Sequence, residues 1–416
     1  MVLNRLEKSY LYVCLVAFAM PILPNFLRNV VIAGIAVLTI FCLFDKKTKT
    51  KFNYKLSIFG SSLYILYAVS MFYTENVDVG FKKLETGVSL IVMPLLFSFM
   101  PDVVKQSLRS KIHIFFSIFI TSVTLAFIVF FCIFWEHYGM SLFQHFPTVI
   151  DNDLGPYNIH PIYLSMHGAI AILMSLHLLS RTKSAKVIII LIVSNIIIAA
   201  FMLILIKKGP ILSLIIAGLY YVISAGNSKT WTVLGLIALI FASVIIIHPK
   251  VNSKFSELLK IGAQDNSVMS STNIRMEIYK CGKEIIPQAG ILGFGVGDAR
   301  EKLLDCYIET NENLALYKYN SHNQYLSIIL RAGFLGLLLF AMYIIFLILG
   351  LKKNKGYIAI SLILFYLLVM FSENILEREN GVLYFSYFSA FLYVAFTAAR
   401  PSEVEESFRI NEKMSD

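Results

Sequence analysis

Apolar residues run in long blocks along this chain, separated by short polar connectors. A first block starts at Tyr10 and turns between Pro21 and Pro24. Further blocks fall near 26–44, 56–73, 84–100, 112–135, 161–180, 187–206, 211–224, 231–247, 323–351, 357–371 and 381–398. Most approach the ~20 residues that cross a hydrocarbon layer at ~1.5 Å per residue. The pattern predicts an all-α polytopic protein with about twelve membrane helices, of which 211–224 is a short one. Two longer polar stretches interrupt it, 136–160 and 248–321. The chain therefore divides into helices 1–9 over 1–247, a large loop with short helices over 248–321, helices 10–12 over 322–398, and a tail over 399–416.

Composition agrees: 57% of the 416 residues are hydrophobic and 15% are charged. Mean hydropathy is +0.73, which excludes an ordinary soluble domain. The net charge of +10 invites a nucleic-acid reading. The excess, however, sits in connectors, with no basic stripe interleaved with aromatics. It reports orientation instead. With both termini cytoplasmic, inner segments carry 20 Lys and Arg, including Lys46, Lys47, Lys49 and Lys51, and short outer turns carry six. Short cytoplasmic connectors are the basic ones, so the large loop faces outward. Of the five cysteines, Cys14, Cys42 and Cys132 lie in apolar blocks. Cys281 and Cys306 share the large loop and can pair if it meets an oxidising compartment, although spacing alone does not bring them together.

Candidate chemistry gathers on the outer side. Asn320-Ser321-His322-Asn323-Gln324-Tyr325 opens the tenth span. Asn and Ser are favoured helix caps, which predicts His322 in the first turn, with Tyr325 on the same face. The positive end of the helix dipole favours a neutral imidazole, able to take a proton from a hydroxyl. Taken alone, such a histidine is more often a plain cap. Arg275 opens a stretch in which Ile274, Ile278, Tyr279 and Ile285 suit an amphipathic helix along the membrane surface. Its fork of donors suits phosphate, and a solvated surface arginine fits the same position.

Lys207-Lys208-Gly209-Pro210 puts two cations at an outer turn, where lysine is disfavoured. Anion attraction and snorkelling both account for it. Lys82 and Lys83 form a second cationic edge with the same two readings. Arg331 falls about nine residues into its span, near mid-membrane. It requires a partner there, such as Glu373, Glu377 or Glu379, or a wet cavity. His160, before Pro161, can line the same cleft or serve the turn. Gly293, Gly295 and Gly297 lack a dinucleotide-binding context and read as a tight turn. Asp151-Asn152-Asp153 lacks the rest of a calcium loop. No cluster with metal-ligand spacing is apparent.

The order of these elements resembles the O-antigen ligase/polymerase superfamily. It is carried by the Lys-Gly turn, Asn273-Ile274-Arg275, Leu292-Gly293-Phe294-Gly295-Val296-Gly297-Asp298, and Ser321-His322-Asn323-Gln324-Tyr325-Leu326 through Gly333 and Gly336. Residues 72–76, Lys82-Lys83-Leu84-Glu85, His160-Pro161-Ile162-Tyr163 and 373–378 look like such proteins less specifically. The resemblance implies a GT-C-like, metal-independent glycosyltransferase of the bacterial inner membrane, with no cofactor and its active site on the periplasmic side. On this resemblance the donor would be a glycan on undecaprenyl pyrophosphate, and the acceptor lipid A-core or another glycan. Arg275 would handle pyrophosphate, helped by Lys207, Lys208, Lys82 and Lys83. His322 would activate the acceptor hydroxyl, with Tyr325, Arg331, His160 and Glu373 as supporting candidates. The family often has Ser-Arg where this chain has Lys207-Lys208, which keeps the charge and loses the fork. Ligation to lipid A-core is the leading expectation. Polymerisation of repeat units uses the same donor. A flippase is the reading from another class, and it is disfavoured by the absence of paired broken spans in the pattern.

Overall fold

The computed structural model describes residues 3–256 and 271–398. The tail expected over 399–416 and part of the large loop lie outside these residues. Every described element is helical and no strand occurs among them. The first half contains α1 (Arg5–Ala17), α2 (Asn25–Phe44), α3 (Tyr54–Ser70), α4 (Val77–Gly87), α5 (Ser89–Ser98), α6 (Asp102–Ser110) and α7 (Ile112–Tyr138). Next come α8 (Leu142–Asn152), α9 (Pro161–Arg181), α10 (Ala185–Leu205), α11 (Lys208–Ala225) and α12 (Ser228–Ile247). The large loop contributes α13 (Pro249–Ser256), α14 (Ser271–Ala289), α15 (Ala299–Thr310) and α16 (Glu312–Tyr317). The chain closes with α17 (Gln324–Lys353), α18 (Tyr357–Val369) and α19 (Glu379–Thr397).

Each expected span falls on helical residues, that near 84–100 divided between α4 and α5, but fewer helices qualify as membrane crossings. Seven are long and apolar enough among the described residues, and eight if the bent pair of 77–98 with α6, angled at 100°, counts as one. α1 and α18 have 13 residues each and α3 has 17, shorter than a full crossing. The short span near 211–224 extends to 18 residues as α11 and qualifies.

α9 is buried from Pro161 to Leu179, and α19 from Gly381 to Ala395. These two helices form the interior, and α2, α10 and α12 turn apolar faces outward. Cationic side chains collect at both ends of the bundle. One end holds Lys51, Lys105, Arg109, Arg181 and Lys229, fastened to neighbouring carbonyls or gathered at helix termini. The other end holds His160, Lys207, Arg275 and His322.

The large loop is not a loose appendage. Ile278, Cys281 and Ile285 of α14 pack with Leu303 and Tyr307 of α15, and with Leu326 and Leu330 of α17. Each such side chain contributes about 1.5–3 kcal/mol on burial from water. Cys281 and Cys306 form a disulfide, with Cα atoms 5.8 Å apart. α14 is thus docked on α17, a firmer seat than the membrane surface predicted for it.

α17 is broken, contrary to the expectation of continuous spans. Gly333 has φ +63° and ψ −164°, a region accessible in practice to glycine alone. The carbonyls of Leu330 and Arg331 lose their helical partners there. The glycine-rich turn supplies replacements: Phe294 and Gly295 N–H donate to them at 2.8 and 3.1 Å. In return, Phe334 and Leu335 N–H donate to Gly290 and Ile291 at 3.2 and 3.1 Å. The tight turn expected at Gly293 is therefore the cap of a severed helix, and it satisfies the backbone groups that the break exposes. The same turn is pinned from the other side. Asp298 accepts Glu75 and Asn76 N–H, both at 2.8 Å, and Tyr73 Oη donates to Leu292 O at 2.7 Å.

A Cβ at position 333 would lie 2.0 Å from Ile291 O, whereas one at Gly235 meets open space. Gly333→Ala is expected to destabilise the protein by at least about 2 kcal/mol. Gly235→Ala should be neutral, or stabilising by up to about 1 kcal/mol. Thermal unfolding of the purified proteins in detergent distinguishes the two; equal melting temperatures would contradict this account of the break.

Candidate active site

The site is built around residues 370–378, the connector between α18 and α19, which carries two carboxylates with different partners. Glu377 is the inner one. Its Oε2 lies 2.6 Å from Arg331 Nη2 and 3.6 Å from Lys83 Nζ, while its Oε1 accepts from Ser327 and Asn374. Its side chain and that of Arg331 are 8% and 6% exposed. Burial pushes the Glu377 carboxyl up, but Arg331 and Lys83 outweigh that effect and hold it at about 2. Arg331 thus meets the connector between α18 and α19, where it forms an ion pair with Glu377.

This pair fastens the connector to the start of α17. Asn374 Nδ2 donates to Ser321 Oγ at 2.8 Å, Leu376 N–H donates to Gln324 Oε1 at 2.7 Å, and Gln324 N–H donates to Met370 O at 2.9 Å. The polar run before α17 is in this way sewn to the connector at three points.

Glu373 is the outer carboxylate. Arg275 Nη2 donates to its Oε1 at 3.0 Å, and His322 Nδ1 stands 3.8 Å from its Oε2. Arg275, Glu373 and His322 are about one quarter exposed, so the three groups share one wet corner. Burial pushes the Glu373 carboxyl up. The partnership with His322 and the charge of Arg275 prevail and keep it ionised below the usual glutamate range. Among the described residues, Arg275 Nε and His322 Nδ1 are buried without a hydrogen-bond partner.

His322 does not lie in the first turn of α17. It precedes the helix, with φ +42°. Asn323 is the true cap and accepts Leu326 N–H at 3.0 Å, while Asn320 Oδ1 accepts His322 N–H at 3.0 Å. Tyr325 also departs from expectation. Its hydroxyl donates to Leu367 O at 2.7 Å, and its ring packs on Phe371, away from the corner. Tyr279, singled out only as part of an amphipathic pattern, braces the corner instead. Its hydroxyl donates to Phe371 O at 3.0 Å and His322 O at 3.3 Å.

Lys207 borders the same corner. It interacts electrostatically with Glu373 and Arg275, and burial draws its pKa below the usual lysine value. Gly209, at the same turn, approaches so near the connector that a Cβ would lie 2.7 Å from Ser372 Oγ. Lys208 opens α11 beside it. His160 caps α9, and Ile162 N–H donates to its Nδ1 at 3.4 Å. Burial, followed by the charge of Arg378, brings its pKa down to about 4, and Glu373 acts in the opposite sense. Lys83 is committed to Glu377. Lys82 lines a separate hollow with Asn29, Glu85 and Glu379, and is not brought to His322. Among the described residues, no group of three or more His, Cys, Asp or Glu is placed to hold a metal.

Removing one member of a buried ion pair strands the other, typically at about 3–5 kcal/mol. Arg331→Met should lower thermal stability by about that amount, and adding Glu377→Gln should recover part of it. A double variant that is simply additive would deny the coupling. Glu377 also predicts a pH effect. Its folded value lies below the ordinary 4.5, so its stabilisation is present above that pH and is lost as pH falls toward about 2. The loss amounts to about 3 kcal/mol and should flatten in Glu377→Gln, as read from melting temperature against pH.

No curated protein matches the chain. Residues 194–341 match the family model described as O-antigen ligase, a stretch containing Lys207, Lys208, Arg275, His322 and Arg331. Through that stretch this many-helixed chain is similar to the O-antigen ligase family.

Proposed function

We propose that the chain is a membrane glycosyltransferase that moves a glycan from undecaprenyl pyrophosphate to an acceptor hydroxyl, in the leading case joining a finished O-antigen to lipid A-core. The observation that carries this reading is the sharing of Glu373 by Arg275 and His322. A base and a phosphate-seeking cation stand on two sides of one carboxylate, within the segment that matches the family.

The chemistry follows from the groups. Glu373 faces Nδ1 of His322, which favours the tautomer protonated there and leaves Nε2 as the base. Nε2 takes the acceptor proton as the acceptor oxygen bonds to the anomeric carbon. The bond from that carbon to the pyrophosphate oxygen breaks, and its electron pair leaves with the pyrophosphate. Attack and departure occur on opposite faces, so the anomeric centre inverts. Arg275, helped by Lys207 and Lys208, stabilises the charge that develops on the leaving group. Glu373 stabilises the imidazolium that results. A preactivated lipid donor supplies the driving force where nucleotide sugars are absent. An outward-facing corner agrees with the basic opposite end of the bundle and with the Cys281–Cys306 disulfide.

His322→Ala is expected to reduce transfer by at least about a hundredfold in an assay with purified lipid-linked donor, with protein level and melting temperature preserved. Arg275→Ala should do the same, and Arg275→Lys should retain part of the activity because it keeps the charge without the fork. Full activity in either alanine variant removes the role assigned to that residue. Offering a choice of acceptors in the same assay separates ligation from polymerisation: transfer to a core glycan supports the first, and growth of the lipid-linked chain the second.

A further inference from the structure

His322 also forms part of the wall of a second hollow, of about 380 Å³, whose lining includes neither Arg275 nor Lys207. Its charged walls are Lys83, Arg300, Lys318, Arg378 and Glu377. Four cationic side chains and one carboxylate thus line it, and that carboxylate is already shared between Arg331 and one of the four, Lys83. Arg300 Nη2 donates to Lys318 O at 2.9 Å, which holds these two cationic residues side by side. The hollow also has an aromatic approach. Tyr317, 66% exposed, stands 5.8 Å from Tyr319 between ring centroids, and Tyr319 stands 6.0 Å from the His322 ring. A row of rings therefore leads from solvent to the imidazole, bordered by positive charge.

Flat aromatic faces pack against the C–H faces of sugar rings, and guanidinium and ammonium groups select phosphate or carboxylate. A free inorganic anion has no use for the tyrosines, and a neutral glycan has none for the cations. We propose that this hollow receives the acceptor, and that the acceptor is an anionic glycan bearing phosphate or carboxylate groups. The glycan lies along Tyr317 and Tyr319, its charges meet Arg300, Lys318 and Arg378, and its reacting hydroxyl reaches His322. This assignment rests on His322 being the base. It adds a substrate class, and it gives His322 two flanks: leaving group toward Arg275, acceptor toward Lys318.

The test uses the full-length protein in lipid nanodiscs and measures binding of three probes: a phosphorylated oligosaccharide, the same oligosaccharide after phosphate removal, and inorganic phosphate. The phosphorylated glycan should bind at least about tenfold more tightly than its neutral counterpart, and added salt should erode the difference. The paired change Arg300→Ala with Lys318→Ala should abolish the preference, and Lys318→Arg should preserve it. Tyr317→Ala should weaken both oligosaccharides and leave inorganic phosphate unaffected. Equal binding of charged and neutral glycans by the unaltered protein overturns the proposal, and that measurement needs no variant to fold. So does inorganic phosphate binding as tightly as the glycan. His322→Ala separates this inference from the catalytic one: it should keep the binding preference while losing transfer. If it keeps both, the base assignment fails although the charged hollow stands.

Discussion

A cation placed near the end of a membrane helix must be neutralised, and here Glu377 neutralises Arg331. That pairing fixes more than charge. Glu377 belongs to the connector between α18 and α19, so its attraction to Arg331 draws the whole connector against the start of α17. Four residues earlier the same connector carries Glu373, which is thereby set between Arg275 and His322. The buried pair stands behind the wet corner, and the geometry of that corner follows from it. Lys83 adds a third charge to the cluster and ties α4 to the same point.

The break at Gly333 is the backbone counterpart of this arrangement. An unbroken α17 would carry residues 324–332 along the axis of its later turns. Severed, the first part is free to serve as one wall of the small core formed by α14 and α15. The glycine-rich turn accepts and supplies the hydrogen bonds that the break exposes. Because Arg275 lies on α14 and His322 lies just before α17, the break and its cap set the angle between the elements bearing the two proposed catalytic groups.

Much of the fold was legible because membrane helices announce themselves by length and apolarity. Every predicted span falls on helical residues. The number of full crossings was less legible, since α1, α3 and α18 are short and a run of apolar letters does not reveal whether a helix reaches both surfaces. His322 and Arg275 stood out by position, and Glu373 as a bordering acid. Their convergence did not, because His322 and Glu373 are 51 residues apart and meet only through packing. The cap of α17 was misplaced for a local reason. Asn320, Ser321 and Asn323 are all good capping types, and the choice of Asn323 depends on Ser321 and Gln324 being held by the connector. Tyr325 illustrates the same limit: helical spacing set its face, but a distant carbonyl at Leu367 took its hydroxyl. The glycine turn was read as a turn, and its service to a broken helix has no signature shorter than the fold itself.

α9 carries a quieter implication. It is enclosed by protein along nearly its full length, and its most apolar stretch is less hydropathic than that of α10, 1.7 against 3.1. Its solvent is thus neither water nor lipid but its sibling helices. Such a segment partitions into hydrocarbon less readily on its own than α10 does, so the helices that surround it assist its entry into the bilayer. Selection on α9 then acts on shape and volume more than on greasiness, and the helix at the centre of the bundle is the one a hydropathy plot ranks among the weaker.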